Sequence, residues 1–434
     1  MFSLINRTIK RTLLRIEKAK PIIRISDTTL RDGLQTPGIR LTTQQRVTVA
    51  KALAGAGIHS IDCGFPAANP LDYEACKEIA AKVQGPILSV HSRTKAEDIE
   101  KSAEVVAKVS PFRKAIGLFI GVSPIHRQQK HNMTRAQIVD TIVKSIDKAS
   151  KHFEMISFGP EDASRTEPEF LAECFKEAIG AGAMSVGFAD TVGILTPDKV
   201  TYYIKYIQDH VSNIDDAMIG VHFHNDLGCA TANSLAAVKA GANMVQGTIN
   251  GIGERAGNAA IEEIVVALSL HKEEFKKNVS VNVKALHGLS QLVAEFTGFP
   301  LAPNKAVVGK NLFRTETGVH QDGLLKHIDT YMPFRPEYIG APPIEVMLGL
   351  NSGRSAVRHR LEAAGLDVTE EHVETVMKYL KNESIADSDL PEVKGFLEKM
   401  KPFIAQDEYG NDGRDVAQSV MVGDEAPHPV AKAS

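Results

Sequence analysis

From Pro21 to Leu270 the chain alternates eight times between a short β-rich run and a longer stretch whose apolar residues recur every three to four positions. The strand-like runs are Ile22–Ser26, His59–Cys63, Ile87–Val90, Ala115–Ile120, Met155–Phe158, Met184–Phe188, Met218–His222 and Met244–Thr248. The helical stretches are Thr43–Ala54, Leu71–Lys82, Ala96–Val109, Arg135–Lys151, Pro168–Ile179, Pro197–His210, Cys229–Lys239 and Ala259–Leu270. Thr42/Thr43 and Thr196-Pro197 read as helix starts. Gly55-Ala56-Gly57, Gly180-Ala181-Gly182 and Gly241 read as stops. Eight such units in series predict an α/β chain folded as a (β/α)₈ barrel. An open doubly wound sheet is the competing architecture, with fewer strands and a glycine-rich phosphate turn after the first. Here the first strand runs instead into the polar Asp27-Thr28-Thr29-Leu30-Arg31-Asp32-Gly33-Leu34-Gln35.

The rhythm divides the 434 residues into a basic extension (1–20), a barrel (21–282), a linker or lid segment (283–343), a helical region (344–402) and a tail (403–434). In the extension, Arg7, Lys10, Arg11, Arg15, Lys18 and Lys20 face the single acid Glu17, and Ile5, Ile9, Leu13 and Ile16 recur at helical spacing. It reads as a solvated helix on a cytoplasmic enzyme; an organelle transit peptide has similar composition. After the barrel, Val283–Thr297 is expected to be helical and 300–314 an irregular connector. Gly318–Gly340 is polar with isolated aromatics, and Ile344–Gly365 and Thr369–Asn382 are expected to be helical. A formal net charge of -3 argues against a nucleic-acid or anionic-membrane partner. No apolar run is long enough to span a bilayer. Cys63, Cys76, Cys174 and Cys229 are scattered without a CxxC pair, so they read as reduced thiols rather than a disulfide frame or a thiolate metal site.

Barrel chemistry sits at the C-terminal ends of the strands. Arg31-Asp32 follows the first strand, Glu161 the fifth and His222-Phe223-His224 the seventh; the eighth leads into the glycine-rich Asn250–Asn258. Residues two apart on a strand share a face, so both imidazoles can reach one ion. Two histidines and Asp32 would leave coordination positions open for a chelating substrate such as a 2-oxo acid. A bare His-x-His is weak evidence alone; its place opposite Arg-Asp at the first strand strengthens it. Arg31 would set a fixed positive charge beside a carbonyl oxygen that becomes negative on attack.

These residues carry a resemblance. The Asp27–Gly33 run, Gly64-Phe65-Pro66, Ser123-Pro124-Ile125-His126, Pro160–Arg165, Asp190-Thr191-Val192-Gly193, His222–Gly228 and Gly247–Asn258 resemble the Claisen-condensing barrels of the 2-isopropylmalate, homocitrate and citramalate synthase family. Gly318–Gly323 and Ser352-Gly353-Arg354 continue it, so that it covers roughly residues 22–380. The resemblance implies an acyltransferase that joins acetyl-CoA to a 2-oxo acid with the help of a divalent metal (Zn, Mn or Mg), and with a monovalent cation as a further activator. It implies Asp32, His222 and His224 as metal ligands with Asn258 close by, and Arg31 as the group polarising the carbonyl. Gln35, Arg93, Thr191 and Gly159 are expected to contact the 2-oxo acid, and Asn250, Gly251 and Gly253 the CoA. Glu161 would be an acid at the reacting centre. His320, with Tyr331 behind it, would manage the acetyl methyl proton, reaching over the barrel of a second subunit in a homodimer with a composite site.

Where the synthases of this group tend to carry serine or tyrosine, Gly159 leaves room, and with Gly64-Phe65-Pro66 this makes 2-oxoisovalerate the first expectation. Homocitrate or citramalate synthesis is the alternative. Leu34, Thr36 and Thr315 depart from the usual residues. Arg31–Gln35 also resembles hydroxymethylglutaryl-CoA lyase, the second alternative, although the lyase's cysteine-bearing loop is absent. The regulatory domain of many isopropylmalate synthases has no counterpart here, so leucine feedback of that type is not expected.

Overall fold

The computed structural model describes residues 2–381 and Gly395; the expected tail at 403–434 lies outside the described residues. The first unit spans residues up to 312 together with 336–342. It opens with helix α1 (Phe2–Ala19) and alternates strands and helices: β1 (Ile22–Asp27), α2 (Thr43–Gly55), β2 (Ser60–Asp62), α3 (Pro70–Lys82), β3 (Ile87–Arg93), α4 (Ala96–Val105), β4 (Lys114–Gly121), α5 (Arg135–Ala149) and β5 (Met155–Glu161). It continues through α6 (Pro168–Ala181), β6 (Ser185–Asp190), α7 (Pro197–His210), β7 (Met218–Phe223), α8 (Ala230–Ala240), β8 (Met244–Gly247) and α9 (Ile261–Leu270). All neighbouring pairs from β1 to β8 are parallel, and β1 pairs with both β2 and β8, so the sheet closes into a ring. This is the expected (β/α)₈ barrel.

Local chemistry explains the element starts. Thr42 and Thr134 form reciprocal capping boxes with Gln45 and Gln137, and Asn69 caps the helix that Pro70 opens. Thr196 makes no cap hydrogen bond; Pro197 alone marks the start of α7. Outward-facing strand residues such as Leu88, Ile116, Phe158, Phe188 and Val221 are buried against the helix layer, so the apolar core lies between strands and helices.

Several expectations need correction. Strands β3 and β5 run three residues further than their apolar patterns, to Arg93 and Glu161, because ladder pairing with β4 continues through polar positions. The basic extension is not a freely solvated helix. In α1, Leu14 is buried, Arg15 bonds Asp216 at 2.7 Å and Lys18 donates to the Ile214 carbonyl at 2.9 Å. After a one-turn α10 (Lys272–Phe275), a short β9 (Asn278–Val279) adds to β1 outside the ring. Helix α11 (Leu286–Thr297) packs on α2, and Ser290 takes hydrogen bonds with Asn250; the expected boundary at 282/283 therefore falls inside this unit.

The second unit comprises residues 313–335 and 343 onward. It holds β10 (Arg314–Thr315), α12 (Gly318–Lys326), β11 (Glu345–Val346), α13 (Arg354–Ala363) and α14 (Glu370–Leu380). Val346, Leu348, Val357, Leu361, Val373 and Val376 form its own core. Ile344–Gly365 is not one helix. Glu345 and Val346 pair with β10, and the Gly349–Gly353 stretch, where the Gly349 amide bonds the Ser352 hydroxyl, delays α13. Among the described residues no helix is long and apolar enough to cross a membrane. All four cysteines are free thiols.

Candidate functional site

Beyond β1 the chain turns sharply, with the amides of Arg31 and Gly33 both bonded to the Thr28 carbonyl at 3.1 Å. The Thr29 hydroxyl donates to Asp27 at 2.7 Å and accepts from the Ile249 amide at 2.8 Å, which pins the turn to the segment after β8. This aims Arg31 and Asp32 into the mouth of the barrel. His222 lies near the end of β7 and His224 just past it, where a bridge to Asn258 holds the backbone.

One ligand atom each from Asp32, His222 and His224 lies within 4.8 Å of the others. His222 Nε2 is 3.3 Å from His224 Nε2 and 3.7 Å from Asp32 Oδ2. His224 Nδ1 lies 3.2 Å from the Gly257 carbonyl oxygen, which can only accept, so Nδ1 carries the proton and Nε2 keeps its lone pair. Burial pulls the His222 imidazole down to about 3, opposed by the Asp32 charge, so His222 is neutral near pH 7. Burial would raise the Asp32 carboxyl, but Arg31, then the two histidines, then the Asn258 hydrogen bond hold it well below the usual carboxylate range. Asn258 donates to Asp32 Oδ1 at 2.7 Å and to the Ile252 carbonyl at 3.1 Å, while its own buried Oδ1 has no partner. One carboxylate, two neutral imidazoles and an orphaned amide oxygen form a donor set that fits a divalent cation.

Arg31 is clamped, Nη1 to Asp32 at 2.7 Å and Nε to Asp62 at 2.9 Å. Its Nη2 makes no hydrogen bond among the described residues. Below and beside these groups opens a cavity whose wall includes Gln35, Gly159, Glu161 and Thr191. Thr191 Oγ1 accepts the Asp162 amide at 2.8 Å, which leaves its hydroxyl hydrogen to donate. Glu161 is held by Lys130 Nζ at 2.6 and 2.8 Å. The last two residues were not singled out from the sequence as a pair, although Ser123–His126 marks the spot: Lys130 lies on a π-helical turn, His126–His131, just after β4.

Arg127 anchors that turn, donating to the Val122 carbonyl at 2.6 Å and to both oxygens of Glu167 at 2.8 and 2.9 Å. The hydrogen bond from Arg127, with help from Arg135, draws the Glu167 carboxyl down to about 2. A carboxyl depressed on folding stabilises above its unfolded pKa, and that stability is lost as pH falls through the folded value. Glu167→Gln should therefore lower the thermal midpoint by a constant amount above about pH 4.5, a difference that shrinks toward about pH 2. A difference that does not change with pH between those limits would overturn this assignment.

Other expected contacts are arranged differently. Arg93 is bound by Asp98 at 2.5 and 3.1 Å and sits 5.6 Å over the Phe65 ring, so it reaches the cavity only through that wall residue. In the loop after β8 the Asn250 amide bonds Glu262 and the Gly251 amide bonds Thr248, and the Asn250 side chain bonds Ser290; these donors are committed within the protein rather than offered to CoA. Gly253 has φ 155°, and a Cβ there would stand 2.9 Å from Asp32 Oδ1 and closer still to Asn258 Nδ2. Its lack of a side chain lets the loop press on Asp32 and Asn258. Gly253→Ala should weaken Zn²⁺ binding about 10- to 100-fold by calorimetry, as when an outer partner of a ligand is disturbed; unchanged affinity would refute the contact. His320 and Tyr331 belong to the second unit, their rings stacked with centroids 4.2 Å apart. Sequence reasoning missed Asp62, His91, Phe119 and Arg255, which also line the cavity; the first three stand on strands, where the alternation that marks inward positions could have found them.

Residues 22–293 match the HMGL-like family model, and residues 307–388 match that of the homocitrate synthase post-HMGL domain. The 2-isopropylmalate synthase of Pyrococcus abyssi is 42% identical over 358 residues, 82% of this chain and 73% of the relative. That of Methylacidiphilum infernorum is 42% identical over 384 residues, 87% of this chain and 76% of the relative. Among solved structures, the hydroxymethylglutaryl-CoA lyase of Pseudomonas aeruginosa superposes with a TM-score of 0.57 at 20% identity, covering 68% of this chain and 98% of that one. The carboxyl transferase domain of Rhizobium etli pyruvate carboxylase gives 0.53 at 16% identity, covering 66% of this chain and 50% of that one; these two likenesses speak to the barrel fold alone. With a family model spanning most of the barrel and such identity to full-length relatives, the chain belongs to the HMGL-like family and, within it, to the 2-isopropylmalate synthases.

Proposed function

We propose that this protein joins acetyl-CoA to a 2-oxo acid, releasing CoA and a 2-alkylmalate, with 2-oxoisovalerate the acceptor that the relatives' name implies. The observation that carries this reading is the meeting of Asp32, His222 and His224 at the open mouth of the barrel cavity. A divalent ion held there (Zn, Mn or Mg) would supply Lewis acidity to the keto group of the acceptor. Arg31, fixed by Asp32 and Asp62, keeps its Nη2 for the oxygen on which negative charge develops. The free hydroxyl hydrogen of Thr191 suits the acceptor's carboxylate. A methyl group beside a thioester is a poor acid, so a base must be held close to it. The family resemblance assigns that task to His320, with Tyr331 stacked on it. The methyl carbon, once deprotonated, bonds to the keto carbon; water then cleaves the thioester and makes the condensation effectively irreversible. A monovalent cation as activator and a homodimer with a composite site are part of the same reading.

The test is thiol release from acetyl-CoA with purified protein, added Zn²⁺, Mn²⁺ or Mg²⁺ and a 2-oxo acid, with the product mass equal to the acceptor plus one acetic acid, that is, the acetyl group together with the water that cleaves the thioester. Cleavage of 3-hydroxy-3-methylglutaryl-CoA without any such condensation would overturn the proposal.

A further inference from the structure

We propose that Lys130 is a positioning residue for the condensation: it holds the Glu161 carboxylate against the cavity wall, so that Glu161 meets the reacting groups as a hydrogen-bond acceptor of fixed direction. This rests on the condensation reading above and adds a residue to its machinery. Glu161 lines the cavity together with Asp32, His222 and His224, whereas Lys130 does not. Whatever Lys130 does for the chemistry it therefore does through Glu161. Its Nζ donates to both carboxylate oxygens, at 2.6 and 2.8 Å. An ionised carboxylate has about four lone-pair sites, so each oxygen keeps acceptor capacity for a group inside the cavity. Without such a clamp, a glutamate at the end of a strand turns about three side-chain torsions.

The backbone that carries Lys130 is shaped for this reach. Strands β4 and β5 end side by side, with Gly121 opposite Glu161. His126–His131 then forms the π-helical turn, in which the Arg127 carbonyl accepts from the amides of Asn132 and Met133. Such turns are rare and recur at functional sites. Asn132 closes it in the left-handed region at φ 51°. A turn widened in this way spreads residues three apart further round its axis than an α-helix does. Arg127 and Lys130 thereby reach different carboxylates, Glu167 and Glu161. Arg127 is nearly buried and its guanidinium lies 4.9 Å over the Phe170 ring, which fixes the base of the turn. A Cβ at Gly121 would collide with the His126 ring, so the absence of a side chain there lets the turn fold back toward β5.

An ordinary surface ion pair is the competing account. The Lys130 side chain is 47% exposed, and pairs of that kind contribute little to stability. So weak a contribution does not explain a π-turn anchored by a buried arginine; aiming one carboxylate into the cavity does. Neighbouring groups do not take its place. His126 Nδ1 stands 3.8 Å from Glu161 Oε2, and His126 Nε2 stands 3.9 Å from Asp162 Oδ2, both beyond hydrogen-bond range. Lys130 is thus the group that sets where the carboxylate points.

The experiment follows thiol release from acetyl-CoA with a panel of 2-oxo acids, using the metal-loaded full chain as parent, Lys130→Met, Lys130→Arg, Glu161→Gln and the double variant Lys130→Met/Glu161→Gln. Lys130→Met should lower kcat about 10²-fold, the scale on which a misplaced group costs rate, and leave KM for both substrates within about twofold of the parent. Lys130→Arg keeps the charge and offers a fork that matches a carboxylate, so it should bring kcat back to within about tenfold of the parent. The double variant should be no slower than Glu161→Gln alone, because the two residues act as one unit. The melting curve and the Zn²⁺ affinity by calorimetry should match the parent's; a merely structural role would move them. Lys130→Gln is the second variant should Lys130→Met not fold. An active parent whose kcat is unchanged in a folded Lys130 variant, or a double variant slowed by the full factor beyond Glu161→Gln, would overturn the role of Lys130 alone. A parent that releases no thiol with any of the acids would overturn the condensation and that role together.

Discussion

His222→Ala should strip the protein of its divalent ion at micromolar concentrations and lower kcat about 10³-fold or more. An ion at this site would be held by three side chains, two of them imidazoles that burial keeps neutral and ready to donate. Disturbing only an outer partner of a ligand costs about 10- to 100-fold in affinity, so deleting a ligand costs at least as much. Loss of several kcal/mol of carbonyl polarisation corresponds to about three decades of rate at 1.36 kcal/mol per decade. Metal content after gel filtration and thiol release with a 2-oxo acid measure the two effects, and a melting curve shows whether the barrel is intact. A folded variant that retains the metal with unchanged affinity, or turns over within tenfold of the parent, would sink the metal assignment.

Arg31→Gln should reduce kcat about 10²- to 10³-fold, the usual consequence of removing one donor aimed at a developing oxyanion. Its second effect is on metal binding. The guanidinium bonds the buried carboxylates of Asp32 and Asp62 at 2.7 and 2.9 Å, and it is the charge that most lowers Asp32. Without it the Asp32 pKa rises, protons compete with the metal at higher pH, and affinity fades earlier as the solution is acidified. Calorimetric titration of Zn²⁺ into parent and variant between pH 5 and about 8, the range where histidine and carboxyl competition is resolved, should show the steeper fall in the variant. Arg31→Lys keeps the charge but cannot bridge two carboxylates through separate nitrogens, so it should rescue the pH profile more than the rate. Parallel pH profiles for parent and Arg31→Gln would remove Arg31 from this role.

How much of this was legible in the chain depended on how local the cause was. The eight strand–helix units could be read because outward strand residues such as Leu88, Phe158 and Val221 and the apolar helix faces repeat over short distances. The histidine pair could be read because spacing by two at a strand end fixes a shared direction. Arg93 shows the limit: a charged residue at a strand end reaches the mouth only if nothing nearer captures it, and Asp98 does. The amides of Asn250 and Gly251 were likewise claimed by Glu262 and Thr248, a matter of loop path rather than composition. Lys130 escaped notice because a π-helical turn carries it to Glu161, and no periodicity signals such a turn. β11 was hidden because its two residues pair with β10 rather than following any pattern of their own.

The hydrogen bond between Asn258 and Asp32 joins side chains 226 residues apart, across the seam where β8 meets β1. Before the eighth strand and the loop after it are made, Asp32 lacks the Asn258 that holds it and the ring cannot close, whatever helices have already formed. An ion bound by Asp32 of the β1 turn and the histidines of β7 would act as a clasp on the finished ring, favouring it over opened forms by mass action. Chelation should therefore loosen this seam before it disturbs the strands on the far side.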